Sequence, residues 1–139
     1  MTKIPVTTFP FGLDSLPDNE ISNKDPHLYY SNRALIKNFN MGRMIDLFGK
    51  IFAFDPRARL IISNDGSLRK ELEAKVKGLG LSEKIEFKGF VSLQEQADIY
   101  SRAQFYISIP TSDATSVSLL EAMAFVCNNL EWQRCALLF

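Results

Sequence analysis

The chain is poor in the residues that build metal and disulfide frameworks. It has two cysteines, Cys127 and Cys135, and one histidine, His27. Neither cysteine has metal-ligand spacing and His27 has no partner motif, so no structural zinc, disulfide scaffold or other metal site is expected. It also lacks an excess of charge: sixteen Lys+Arg balance sixteen Asp+Glu. Bulk electrostatics therefore give no hold on nucleic acid or an anionic membrane, and no basic stripe is interleaved with aromatics. The opening MTKIPVTTF has no apolar signal core, and no segment approaches the ~20 apolar residues of a membrane span. A cytoplasmic location is expected. There is no P-loop, no GxGxxG after the first strand and no receiver-type acid cluster. Nucleoside triphosphatases, nicotinamide enzymes and phosphoacceptor domains are disfavoured accordingly. No internal repeat or low-complexity tract is present.

What is there suits one ordinary core. At 139 residues and 46% hydrophobic content, the chain has the size and composition of a single globular domain. Residues 1–27, rich in Pro, Asp, Asn and Ser, read as an extended segment or linker, with a β-like stretch from Ile4 to Phe9 and His27 in a surface loop. From Leu28 the pattern alternates between strand and helix. Leu28–Leu35, Arg59–Ser63, Ile85–Phe87 and Gln104–Ile109 read as strands. Met41, Met44, Ile45, Phe48, Ile51 and Phe52 recur at helical spacing, predicting a helix over 40–54. Further helices are predicted over Ser67–Leu79 (closed by Gly80), from the capping box Ser92-Leu93-Gln94-Glu95 to about Arg102, and from Val117 onward. Such alternation implies an α/β, Rossmann-like parallel sheet with helices on both faces over residues 28–124.

The run SDATSVSLLEAMA, Ser112 to Ala124, carries the most chemistry. It sets Asp113 and Glu121 eight positions apart, after an apolar strand and across a polar turn into a helix. A helix start offers unpaired N–H groups and partial positive charge to a phosphate. A carboxylate farther along accepts from sugar hydroxyls. The same residues also suit an ordinary strand-to-helix junction whose Asp and Ser cap the helix. Arg33, Asp65, Gly66, Gly89 and Asp113 all fall at the carboxyl ends of predicted strands, where ligands bind in open parallel sheets.

At these residues the chain resembles the retaining glycosyltransferases of family 4, which have a two-domain B-type fold. Their motif is an acid, seven residues and Glu, usually followed by Ala-Met-Ala-Gly. Here Asp113, Glu121 and Ala122-Met123-Ala124 stand in those places. Other blocks follow in order: Pro10–Asp14 is similar to the linker entering the C-terminal domain, Ser31–Leu35 to the end of its first strand, and Ala58–Gly66 to the second strand and its turn. In that turn Asn64 replaces the first glycine of Gly-Asp-Gly. Lys84–Val91 is similar to the third strand and following loop.

The resemblance implies the donor-binding, C-terminal half of such an enzyme, transferring a hexose from a nucleotide diphosphate sugar to a glycan or lipid-linked acceptor. No cofactor is implied beyond the nucleotide sugar itself. It assigns the diphosphate to Arg33 and to the backbone of Thr115, Ser116 and Val117, the donor hexose to Asp113, and the ribose hydroxyls to Glu121. Gly66 makes a turn with close ligand approach as a second role. Phe90 and Val91 form a base-binding loop, the Phe90 side chain itself packing in the core. Met123, Met41 and Met44 are expected in the core. Where the family often has lysine, Asn38 stands, with Lys37 one position earlier.

After Ala124 the resemblance ends, because Val126 replaces a glycine and no strand pattern follows, so residues 125–139 are expected to form an atypical tail. The sheet is then expected to end at Gln104–Ile109, leaving an unpaired edge and a marginally stable chain. A truncated or split enzyme follows, needing a separate N-terminal acceptor domain and inactive alone. The competing readings are a non-catalytic nucleotide-sugar binding module, an inactive remnant, or a related 2-epimerase, whose acid and His pairs are not evident.

Overall fold

The computed structural model describes residues 23–112, 116–125 and 127–131. Five strands alternate with four helices: β1 (Asp25–Ser31), α1 (Met41–Phe54), β2 (Arg59–Ser63), α2 (Arg69–Gly78), β3 (Ile85–Gly89), α3 (Leu93–Arg102), β4 (Ala103–Ser108), α4 (Val117–Ala124) and β5 (Asn128–Glu131). A short 3-10 turn, Lys37–Phe39, precedes α1. All strand pairs are parallel, in the order β3-β2-β1-β4-β5. The chain works outward from β1 to β3 and then returns to the other side of β1. That reversal opens a crevice at the carboxyl ends of β1 and β4.

Side-chain alternation along the strands assigns the two faces. Tyr29, Leu60, Ile62 and Ile107 join Met44, Phe48, Leu72 and Val76, so α1 and α2 cover one face. Leu28, Tyr30, Ile61 and Tyr106 join Ile99, Tyr100 and Ala122, so α3 and α4 cover the other. The α/β, Rossmann-like architecture read from the sequence is the one observed. Among the described residues, no helix is long and apolar enough to cross a membrane.

Local chemistry explains the element ends. Gly80, at φ +70°, closes α2: its N–H donates to Lys77 O (3.1 Å) and Leu81 N–H to Val76 O (3.0 Å). This paired closure needs a left-handed residue, which glycine adopts without a Cβ penalty. Ser92 caps α3, its Oγ accepting from Glu95 N–H, while the Glu95 carboxylate turns to Lys88. At the other end of α3, Lys24 Nζ donates to the carbonyls of Tyr100 and Ala103, both at 2.9 Å. The buried Cys127 thiol also reaches both carbonyls, and burial raises its pKa despite the nearby lysine.

Several expectations need correction. The first strand begins at Asp25 and ends at Ser31, rather than running from Leu28 to Leu35. Pro26 cannot donate to a sheet ladder, and the β1–β4 register shifts between Asp25 and Tyr29, which accommodates it. Leu35 mimicked a strand residue because it is fully buried, but it enters the core from the loop. His27 lies in β1, not in a surface loop, with Nδ1 2.5 Å from Asp55 Oδ2. Met123 is 58% exposed rather than core, unlike Met41 and Met44.

The sheet does not end at β4. β5 pairs with it in parallel, Phe105 opposite Asn128 through Ser108 opposite Glu131. Asn-Asn-Leu-Glu has weak strand propensity, so pairing with the neighbour, not composition, makes it a strand. The expected missing strand is thus overturned, and β4 is not the open edge from which a stability loss was argued.

Candidate functional site

The loops leaving β1 and β4 are stapled together across the crevice. Asn40 Nδ2 donates to Ile109 O (2.9 Å) and Thr111 Oγ1 (3.1 Å). Asn38 Nδ2 donates to Ser112 O (3.3 Å), and Thr111 N–H returns to Asn38 O (2.8 Å). Asn40 adopts φ 48°, a left-handed conformation that Asn tolerates better than most residues. Asn38 therefore holds the loop, at the position where the family resemblance has a lysine.

Arg33 sits two residues beyond β1. Its Nε donates to Ser108 Oγ (2.9 Å), its Nη2 to Ser116 Oγ, and its guanidinium lies 4.9 Å from the Phe39 ring centroid. Ser116 is the N-cap of α4, with Oγ accepting from Leu119 N–H at 3.1 Å. A delocalised cation is thus bound at the start of a helix whose first N–H groups favour anions. Val117 opens that helix and is exposed.

On the next turn of α4, Glu121 Oε2 accepts from Gln96 Nε2 (3.1 Å) and Tyr100 Oη (3.2 Å), both on α3. The Tyr100 hydroxyl also lies 2.9 Å from Ser118 O and accepts from Asn32 Nδ2 at 3.1 Å. Tyr106 Oη donates to Asn32 Oδ1 (2.7 Å), and Asn64 Nδ2 donates to Asn32 O (3.1 Å). Tyr30 and Ser63 hydroxyls pair nearby at 2.6 Å. A hydrogen-bonded network therefore underlies the crevice, joining Glu121 to Asn32, the neighbour of Arg33. Burial is the main cause that pushes the Tyr30 hydroxyl up to about 12, and those of Tyr100 and Tyr106 higher still. At neutral pH all three are phenols, able to donate but not to serve as bases.

The other expected site residues behave differently. A Cβ on Gly66 would come within 2.5–2.9 Å of Leu35 backbone atoms. The loop carbonyl and amide bonds there, Leu35 N–H to Asp65 O (3.1 Å) and Leu68 N–H to Leu35 O (2.9 Å), draw the chains together. Its glycine is thus required by the protein's own backbone. Phe90 is 80% exposed, so its side chain does not pack in the core; Val91 is half-buried. Both follow Gly89, at φ +72°, whose carbonyl accepts from Asn64 N–H at 2.6 Å. Asp113 and Thr115 lie outside the described residues, as do Pro10–Asp14, Val126 and residues 132–139.

Arg33 and Ser116 are therefore brought into contact, with Val117 beside them and Glu121 a turn away. Gly66 supports the rim from the protein side. Phe90 and Val91 share the carboxyl edge without a bond to that group. Asn32, Gln96, Tyr100, Tyr106 and Ser108 were not foreseen. The available signal was a tyrosine on each of three buried elements, whose hydroxyls must find partners.

Comparison with known proteins places this geometry. The family model described as glycosyl transferases group 1 matches residues 14–128. The chain is 25% identical over 85 residues to alpha-monoglucosyldiacylglycerol synthase of Streptococcus pneumoniae, spanning 61% of this chain and 19% of that protein. It is 29% identical over 98 residues to mannosylfructose-phosphate synthase of Agrobacterium fabrum, spanning 65% of this chain and 22% of that protein. Thus it covers about a fifth of each relative's length. Among solved structures, the pneumococcal O-GlcNAc transferase GtfA, in complex with UDP and GlcNAc, superposes with TM-score 0.77 at 20% identity, over 86% of this chain and 23% of that one. The C-terminal domain of LpcC, a group 1 family glycosyl transferase of Francisella tularensis, gives TM-score 0.71 at 21% identity, over 78% and 59%. With more than half of its residues matched by the family model, this chain belongs to the glycosyl transferases of group 1.

Proposed function

We propose that this chain is the donor-binding domain of a retaining hexosyltransferase, holding a nucleotide diphosphate sugar in the β1/β4 crevice. The observation that carries the reading is Arg33 bonded to the N-cap of α4, with Glu121 on that helix's next turn. Arg33 and the first amides of α4 take the diphosphate, where a forked cation offsets charge growing on the leaving group. Glu121 accepts from the ribose hydroxyls. Asp113 and Thr115 belong to the same proposal, as hexose and phosphate contacts, and the loop at Phe90 and Val91 faces the base. A relative solved with UDP and GlcNAc supports a nucleotide sugar as donor class. A glycan or lipid-linked acceptor, a cytoplasmic location and a separate N-terminal acceptor domain complete the proposal. A chain matching about a fifth of its relatives supports the last of these.

The test is calorimetry with nucleoside diphosphates. Glu121→Ala is expected to weaken binding by about 1.5–3 kcal/mol, the worth of a lost charge-assisted hydrogen bond. Equal affinity for both proteins would remove Glu121 from the site. Transfer from nucleotide sugars is expected only when an acceptor domain is co-expressed, since in this reading that domain supplies the acceptor surface and closes the donor off from water. Turnover by the chain alone would overturn that part.

A further inference from the structure

Glu121 is held from one side by its own domain. Both hydrogen bonds it receives end on Oε2: Gln96 Nε2 at 3.1 Å and Tyr100 Oη at 3.2 Å. Among the described residues Oε1 has no hydrogen-bond donor. A carboxylate has about four acceptor positions, two on each oxygen. Two donors on Oε2 therefore fill that atom and leave Oε1 to accept.

The two donors are not equivalent. The Tyr100 hydroxyl has a single proton and two acceptors, Ser118 O at 2.9 Å and Glu121 Oε2 at 3.2 Å. It also accepts from Asn32 Nδ2, which leaves its proton as the only means of donating. The shorter contact competes for that proton, whereas the Gln96 amide has two N–H groups. Gln96 is thus the steadier donor to Glu121. Both donors come from one helix, α3, and Tyr100 is fixed by ring contacts, stacked on Phe125 at 5.4 Å and edge-on to Tyr30 at 4.9 Å. Tyr100 is fully buried and Gln96 half-buried, so the pair is a firm support beneath a half-buried carboxylate.

We infer that Gln96 and Tyr100 are positioning residues that set the ribose preference of the site: they occupy Glu121 Oε2 and present Oε1 to the vicinal diol. The inference rests on the donor-binding reading above and deepens it. Its consequence is selective. Removing the support lets the carboxylate rotate, costing the hydroxyl contacts but leaving intact the phosphate contacts at Arg33, which is held by Ser108 and Ser116 and not by α3. A residue that only stabilised the fold would weaken all ligands together.

The experiment compares uridine, guanosine and adenosine diphosphates with their 2′,3′-dideoxy counterparts by calorimetry on the full chain. The reading is the ratio of the two affinities. For the wild type a ribose preference of about tenfold or more is expected, one charge-assisted hydrogen bond's worth. Gln96→Met is expected to bring the ratio down by about three- to tenfold, and Tyr100→Phe by less, with dideoxy affinities unchanged. Gln96 is half-buried on a helix, so its methionine variant keeps the fold even if Tyr100→Phe loosens it. A wild-type preference that persists in both variants overturns the inference and leaves the donor reading standing. Diphosphate binding without any ribose preference also overturns it, sparing only the Arg33 half of that reading. Failure of the wild type to bind any of the six overturns both.

Discussion

The two faces of one sheet differ in kind. Under α1 and α2 the strands present Leu60, Ile62 and Ile107 to Met44, Phe48 and Leu72, an apolar interior that needs only shape. Under α3 and α4 they present Tyr30 and Tyr106 to Tyr100; the Tyr100 and Tyr106 hydroxyls carry hydrogen bonds up to Asn32 and Glu121, and that of Tyr30 pairs with Ser63. Because successive strand residues point to opposite faces, Tyr29 and Tyr30 serve different interiors though they are neighbours. Tyr29 packs edge-on against Phe48 at 5.9 Å and stacks on Phe105 at 4.6 Å, whereas Tyr30 pairs with Ser63 and Tyr100. The difference teaches where function can be built. A face packed by shape alone offers no hydrogen-bonded chain to the rim, while a face already wired with hydroxyls can pass orientation to a carboxylate there.

The largest expected effects separate the faces. Phe48 is fully buried. Phe48→Ala should lower stability by about 3–5 kcal/mol through lost burial and a cavity, and leave diphosphate affinity of the folded fraction unchanged. Tyr106→Phe, which strips the donor from the half-buried Asn32 Oδ1, should cost about 1–2 kcal/mol. It should also weaken diphosphate binding, since Asn32 adjoins Arg33. Urea melts paired with calorimetry read both quantities. If Phe48→Ala lowers affinity as much as Tyr106→Phe does, the two faces are not functionally distinct.

Much of this was legible in the chain because local signals agreed with the global fold. Gly80 marked the end of α2, Ser92 the start of α3, and the apolar spacing of Met41 to Phe52 drew α1 nearly to the residue. Arg33 and Glu121 were legible through the family motif. What stayed hidden depended on partners distant in sequence. β5 is a strand because β4 lies beside it, not because Asn and Glu favour strands. His27 lies within β1 and reaches Asp55, 28 residues farther along the chain. The Gln96 and Tyr100 contacts to Glu121 span 25 and 21 residues, so no local pattern announces them.

Asn64 offers a smaller and sharper test, because it stands between the halves of the sheet's carboxyl edge. It adopts φ 106°, where a non-glycine residue is strained, typically by about 1–3 kcal/mol. Its side chain compensates on both sides: Nδ2 donates to Asn32 O at 3.1 Å, and Oδ1 accepts from Asp65 N–H at 2.8 Å. Asn64→Ala keeps the strain and forfeits both bonds, with an expected loss of about 1–2 kcal/mol. Asn64→Gly forfeits the bonds but relieves the backbone, so its loss should be smaller. Equal denaturation midpoints for the two variants would show that φ strain is not what the side chain offsets.

The smallest expected effect lies at the opposite, amino rim, where ion pairs close the sheet. The Asp25 carboxyl is held below its usual range chiefly by the His27 backbone N–H, with Arg59 adding to it against partial desolvation. For Asp55, desolvation pushes upward, and the bonds from His27 and from the Arg57 amide and guanidinium outweigh it. Both groups thus bind a proton less readily folded than unfolded, where a carboxyl titrates near 3.9. Above that value both states are ionised and the stabilisation is fully present. As pH falls from about 4 through the lower folded values, the unfolded chain takes up protons first and stability declines. The pairs are solvent-exposed at their cations, so the loss should be modest and salt-sensitive. Urea melts between pH 5 and pH 3 should show that decline in the wild type and a shallower one in Asp25→Asn and Asp55→Asn. An unchanged slope in both aspartate variants would mean that the acid sensitivity comes from elsewhere in the molecule.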